Sequence, residues 1–180
     1  MKTITVPPTP EGLAEAEMWL KGYFQTFVPK ACKNLVAMMC QEGETYAINA
    51  VGHIDTGETL SSIHGYRNGD KGVIVAGGAA IWIEFGTGVA YNGSGYNHPK
   101  AQELGMAAHG TFGKGRGASF NGWYYPDPSG THTFTDENGV TQTYSHTMGI
   151  PANRFMYNTA QMLRRECGVM ATEVFADEPY

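Results

Sequence analysis

Charge is scarce in this chain. Only 16 % of its 180 residues are Asp, Glu, Lys or Arg, where an average soluble domain carries about a quarter. The 12 basic residues are outnumbered by 17 acidic ones, for a net charge of −5. Affinity for nucleic acid that rests on neutralising phosphates needs the opposite balance, so DNA as the main partner is disfavoured. Cysteine is scarce too: Cys32, Cys40 and Cys167 show no CxxC spacing. That argues against a disulfide framework or a zinc knuckle and leaves the three as small core hydrophobes. No apolar run approaches the ~20 residues needed to cross a bilayer, and the segment from Met1 to Pro8 lacks the apolar stretch of a secretory leader. The expectation is a soluble protein made in the cytoplasm, with no membrane partner.

What is abundant points elsewhere. Apolar residues make up 42 % and aromatics 12 %, enough for a folded core, and the length suits a single domain over 1–180. Glycine, at 24 residues, is roughly twice its usual share. Much of the chain is therefore expected in loops and turns.

Thr9-Pro10-Glu11 reads as a helix start, because a hydroxyl can cap free amides and proline needs no partner at the first helical position. Leu13, Ala16, Leu20, Phe24 and Phe27 then recur at steps of three and four, giving one apolar face. Pro29 should kink or restart the helix. Cys32, Leu35, Val36 and Met39 carry an apolar stripe on to Gly43. Tyr46 to Val51 fits a strand or a further stretch of helix equally well. Ser61 to Tyr66 and Gly72 to Ala76 flank Asn68-Gly69-Asp70-Lys71, the composition of a hairpin turn. Pro151 is expected to open a closing helix whose seam is Met156, Ala160, Leu163, Cys167, Met170 and Val174, with Arg164 and Arg165 off it.

Between Gly86 and Met148 the composition changes: glycines crowd together, charge thins, and Tyr91, Tyr96, Phe112, Phe120, Trp123, Tyr124 and Tyr125 are spread through polar sequence. A segment this long inside a domain is usually functional, and its rings need somewhere to pack. Thr131 to Thr135 and Val140 to Tyr144 flank Asp136-Glu137-Asn138-Gly139, which predicts a hairpin and reads as a projecting β-arm. The fold class is α+β: helices at both ends packed on a small antiparallel sheet, with a long insertion over 86–148.

Candidate chemistry is sparse. His98, His109, His132 and His146 lie in the glycine-rich region without the short spacings of a metal site, so no metal and no cofactor is expected. Gly110 to Gly117 departs from a phosphate-binding loop, with Gly115 where Ser or Thr should follow the lysine. Gly93-Ser94-Gly95 lacks the flanking strand and helix of a nucleophile elbow. Glu84 draws notice because it sits between Ile83 and Phe85, where an isolated buried charge is costly; the alternative is an edge position facing water. The run from Ala79 to Phe85 is too short to classify by period and is expected to pack on the sheet.

The order of these segments resembles the tail-completion or neck proteins of tailed bacteriophages. Asp55-Thr56-Gly57 with Leu60, Ser62 and Ile63 matches a TG-x-L-x-SI-like segment. Ala80-Ile81-Trp82-Ile83-Glu84-Phe85-Gly86-Thr87-Gly88 matches an apolar segment ending in Glu-Phe-Gly-Thr. Gly149-Ile150-Pro151-Ala152-Asn153-Arg154-Phe155-Met156 stands at the proline-aromatic start of the closing helix. His98-Pro99, Gly110 to Gly115 and Gly122-Trp123-Tyr124-Tyr125 look like an insert found in a subgroup from phages of Gram-positive hosts. The resemblance spans roughly residues 10–175. Glu58-Thr59 depart from it, as do Asn153-Arg154, which interrupt the usual proline-phenylalanine contact.

The resemblance implies a non-enzymatic virion component, assembled in the bacterial host cytoplasm as a ring expected to be hexameric. It implies partners on both sides: a head-side connector or head-completion protein, and a tail terminator or tail tube protein, with DNA at most passing through the lumen. Glu84, Phe85, Gly86, Thr87, Phe112, Trp123, Tyr124, Tyr125 and Phe134 are the candidate subunit-contact residues, since glycine-rich loops bearing aromatics supply contact area. The alternatives are a tail terminator or another tail ring protein and, from a different class, a metal-dependent hydrolase using the loop histidines.

Overall fold

Helix starts and hairpin turns follow their local chemistry in the computed structural model, which describes residues 5–52, 57–87, 98–106, 116–119 and 122–177. The α+β expectation holds, with helices at both ends and small antiparallel sheets. The chain divides into two compact units, each built from non-contiguous stretches.

The first unit takes residues 1–48, 63–75 and 159–180. Thr9 Oγ1 accepts from Gly12 N–H at 3.2 Å and opens α1 (Pro10–Gly22), with Pro10 at the start where no donor is needed. The disturbance expected at Pro29 is taken up just upstream: a π-helical turn over Tyr23–Phe27 precedes α2 (Val28–Val51), so the proline falls in the first turn of a new helix. Along α1 and this turn Trp19 stacks on Tyr23 and Tyr23 on Phe27. Most of the expected apolar face is open, however: Leu13, Leu20 and Phe24 are exposed, and Phe27 alone of that stripe is buried, its ring 5.8 Å from Phe175.

Gly43 does not end the helix. α2 runs on to Val51, which makes Tyr46 to Val51 helical. Gly43 instead makes room: a Cβ there would stand 2.2 Å from Ile74 Cδ1 and 3.0 Å from Leu163 Cδ1, so its absence lets the hairpin and the last helix approach α2. The hairpin is β1 (His64–Asn68) and β2 (Lys71–Val75), in register from His64↔Val75 to Asn68↔Lys71. It starts later than expected, because Glu58–Ser61 forms a short helix, α3. α2 serves the backbone of β1: Glu44 Oε2 accepts from Gly65 N–H at 2.7 Å, and Cys40 Sγ donates to the Tyr66 carbonyl at 3.3 Å. Of the three cysteines only Cys40 is the buried residue expected; Cys167 is half-buried and Cys32 exposed.

The second unit takes residues 49–62 and 76–158. Ala79 to Phe85 resolves as a short helix, α4 (Ala80–Phe85). Beyond it β3 (Arg116–Ser119), β4 (Gly122–Pro126), β5 (His132–Thr135) and β6 (Thr141–Thr147) form an antiparallel sheet in the order β3-β4-β6-β5. The predicted 131–144 hairpin is the β5–β6 pair, its turn closed by Asp136, whose carboxylate accepts from Asn138 and Val140 N–H. It does not stand alone as an arm, since β6 also pairs with β4.

The last helix, α5 (Phe155–Asp177), spans both units and begins four residues after Pro151. Its buried positions are Phe155, Thr159, Met162, Met170 and Val174, whereas Met156, Ala160, Leu163 and Cys167 of the expected seam are half-buried. Arg164 and Arg165 are exposed, as expected.

Candidate functional site

α4 ends with unpaired carbonyls, as every helix does, and α5 begins with unpaired N–H groups. In the second unit these two deficits are met together. The Ile83 carbonyl accepts from Asn153 N–H at 2.9 Å and the Glu84 carbonyl from Arg154 N–H at 3.2 Å. In return the Glu84 carboxylate caps α5: Oε2 accepts from Met156 N–H at 2.8 Å and Oε1 from Tyr157 N–H at 2.9 Å. Arg154, at the usual N-cap position, cannot fill this role and sits at φ 64°, a backbone conformation rare outside glycine. The departure Asn153-Arg154 thus marks where the chain bends so that its amides reach α4. The helix end is a favourable place for a carboxylate, because the N-terminal amides concentrate partial positive charge.

A third donor completes the carboxylate. His98 Nε2 lies 2.7 Å from Glu84 Oε1, with both side chains almost fully buried. Lys100 N–H donates to His98 Nδ1 at 3.0 Å, so Nδ1 is the acceptor and Nε2 carries the hydrogen directed at Glu84. Phe85 packs against the imidazole at 4.4 Å between ring centres, and Tyr157 meets it edge-on at 5.4 Å. Glu84, 6 % exposed, does not face water. Its desolvation is offset by three N–H donors from within the chain.

Gly86 and Thr87 extend the clasp. Gly86 adopts φ 75°, and a Cβ there would lie 2.7 Å from both the Ile150 carbonyl and the Ala152 nitrogen, so no other residue fits without displacement. Thr87 N–H donates to the Ile150 carbonyl at 2.9 Å, and Ile150 N–H donates to Thr87 Oγ1 at 3.2 Å. The two ends of the 86–148 segment are thereby tied to each other.

Four of the expected contact residues, Glu84, Phe85, Gly86 and Thr87, therefore belong to one site. Trp123, Tyr124, Tyr125 and Phe134 belong to the four-stranded sheet and split between its faces. Strand alternation puts Trp123, buried, and Tyr125, exposed, on one face. Tyr124 and Phe134 lie on the other, 5.3 Å apart, where Tyr124 also meets His132 and His146, and Phe134 meets Tyr144. Phe112 and His109 lie outside the described residues, as do Gly93-Ser94-Gly95 and most of Gly110 to Gly117.

The contacts of Glu84 with His98 and with the amides of Met156 and Tyr157 are what sequence reasoning missed. The available signal was the cost of burying Glu84, which demands donors. Among the described residues, no three His, Cys, Asp or Glu side chains converge as a metal site would require, and no helix is long and apolar enough to cross a membrane. No protein family, curated protein or solved structure matches the chain.

Proposed function

We propose that this chain is a structural subunit of a bacteriophage neck, forming a ring that joins the head connector to the tail. The observation that carries the reading is the clasp between Ile83 to Thr87 and Ile150 to Tyr157. These are two of the stretches whose order carries the resemblance to tail-completion proteins, and their motif residues hold each other through backbone geometry. Glutamate, glycine and threonine each have a specific task in it. The carboxylate is spent on structure, with its donors supplied internally, which suits a scaffold better than a general acid or base.

Exposed apolar side chains support an assembly role. Leu13 and Leu20 of α1 and Phe24 of the π-helical turn after it are exposed, and Val169 of α5 is 64 % exposed. A run of apolar side chains along one helical stretch offers area that another molecule can cover. Head-to-tail contacts between identical copies generate rings when the rotation closes.

Electron micrographs and native mass spectrometry of the purified chain test the ring; closed annular particles are expected, and a strictly monomeric protein at high concentration would refute it. Infection without the protein separates the neck reading from the tail-terminator alternative. The neck role predicts filled heads and finished tails that fail to join, whereas the terminator role predicts tails of uncontrolled length.

A further inference from the structure

We propose that the face of the four-stranded sheet bearing Tyr124, His132, Phe134, Tyr144 and His146 is a binding platform for an uncharged saccharide chain. Register and alternation assemble it. Tyr124 of β4 pairs with His146 of β6, and Tyr144 of β6 pairs with His132 of β5, so four rings share one face. Phe134, two residues beyond His132, adds a fifth ring, and Gln142 stands opposite it. Pro126 follows Tyr124 by the same alternation.

The rings hold one another. Tyr124 meets His132 at 4.9 Å, His146 at 5.0 Å and Phe134 at 5.3 Å between ring centres, and Phe134 meets Tyr144 at 5.1 Å, all edge to face. Side chains held in this way have little rotamer freedom left to lose when a ligand docks. Among the described residues the platform is also open. The connection from β4 to β5 has to cross β6, and it does so on the opposite face, where Asp127 accepts from the Ser145 hydroxyl and Gly130 lies against the Tyr144 backbone. His132, Gln142 and His146 are exposed, and Tyr124, Phe134 and Tyr144 half-buried.

The composition of the face selects the ligand class. Its described side chains include no Leu, Ile or Val and no charged group. A face made for packing on another protein layer draws mainly on β-branched and other aliphatic side chains. One made for single-stranded nucleic acid sets its rings beside a basic track. Here a single basic residue, Arg116, stands in register with Tyr124, and the chain carries a net charge of −5. Uncharged rings edged by polar atoms suit a neutral molecule with flat C–H faces and a rim of hydroxyls, which describes a pyranose. Its weakly positive C–H groups lie on the electron-rich ring faces. Its hydroxyls meet the imidazole nitrogens of His132 and His146 and the amide of Gln142, whose oxygen already accepts from the Tyr144 hydroxyl and whose NH2 is left to donate.

The test is titration of the isotope-labelled full chain with cellohexaose, maltohexaose and N-acetylchitohexaose, followed by amide chemical shifts. At least one of the three is expected to move the resonances of the five ring residues and leave those of β1 and β2 in place. His146→Ala, at an exposed position, is expected to weaken that binding about fivefold, the worth of one hydrogen bond. Tyr124→Leu, which keeps apolar bulk and loses the ring, is expected to weaken it about tenfold, and Thr133→Ala on the opposite face to leave it unchanged. Circular dichroism checks that each variant is folded, and His146→Ala decides alone if Tyr124→Leu is not. No response of the face to any of the three sugars at about 10 mM, tenfold above a Kd of ~1 mM, overturns the proposal. So does oligothymidylate binding there in place of the sugars, and so does a folded His146→Ala protein with the parent's affinity. The platform lies within one chain, so it stands or falls apart from the ring.

Discussion

Replacing Glu84 by glutamine tests the clasp most directly, because the change keeps the shape and alters only charge and donor count. The carboxylate oxygens together accept from Met156 N–H, Tyr157 N–H and His98 Nε2. An amide offers one acceptor and one donor. With its NH2 at the Oε2 position it confronts Met156 N–H; turned over, it confronts Tyr157 N–H and the imidazole. His98 cannot relieve the conflict by exchanging its hydrogen between nitrogens, because Nδ1 is already held by Lys100 N–H. A charge-assisted hydrogen bond contributes roughly 1.5–3 kcal/mol and a carboxylate at a helix N-terminus up to ~2 kcal/mol, so the expected loss is about 2–4 kcal/mol. For a chain of this length that lowers the melting temperature by roughly 5–15 °C. Urea unfolding followed by circular dichroism measures it, with Glu103→Gln, an exposed position, as the control expected to change stability by less than about 0.5 kcal/mol. His98→Ala and the double variant complete a cycle in which the double variant loses less than the sum of the two single losses. If Glu84→Gln matches the Glu103→Gln control, the carboxylate is not holding α5 and the account of the site fails.

Four further outcomes are expected. His98 carries its hydrogen on Nε2, and long-range nitrogen–proton correlation spectra showing an Nδ1–H tautomer would contradict the assigned contacts. Gly86→Ala meets both the φ of 75° and the 2.7 Å approach to backbone atoms, and should destabilise by about 2 kcal/mol or more; equal stability to the parent would show that the turn relaxes freely. The Asp127 carboxyl is held below its ordinary value of 3.8 by the Ser145 hydroxyl and then the Ser129 N–H. Because folding depresses this value, the stabilisation is complete above 3.8 and fades as pH falls through the lower folded value; a carbon-detected titration placing the group at or above 3.8 refutes it. If the proposed ring forms, Leu20→Ser with Phe24→Ser should leave the monomer's stability within about 1 kcal/mol while abolishing the ring, and rings that persist would show that these two side chains are not part of its contacts.

Legibility in the sequence tracked the distance over which each residue acts. Thr9-Pro10, Asn68-Gly69 and Asp136 to Gly139 act on their immediate neighbours, and the helix start and both hairpins lie where those residues put them. Gly43 looked like a stop signal because glycine is costly inside a helix. Its reason for being there is the approach of Ile74 and Leu163, neither of which is local. The apolar stripe of α1 has the right period for burial, yet period alone does not say whether the covering surface belongs to the same chain. Glu84 was legible as a residue that must either be exposed or be satisfied. Its donors were not, because two of them are backbone amides 72 and 73 residues away that become free only through the start of α5 at Phe155.

The clasp also bears on how the chain closes a segment as long as 86–148. The entropy lost in closing a loop rises only with the logarithm of its length, so the main cost lies in bringing the two ends together. Here that cost is met at the root. The Gly86 turn, the reciprocal hydrogen bonds of Thr87 and Ile150, and the Glu84 cap fix the departure of the chain and its return within one small cluster. His98 joins the segment to the same carboxylate. The sheet beyond then has its own ladder from β3 to β5 and its own aromatic contacts. Substitutions at Glu84, Gly86 or Thr87 should accordingly cost more stability than substitutions at the exposed positions of β5, Thr133 and Thr135. Urea unfolding of both sets of variants measures the difference; a Thr133→Ala protein that loses as much stability as Glu84→Gln would show that root and sheet are not independent.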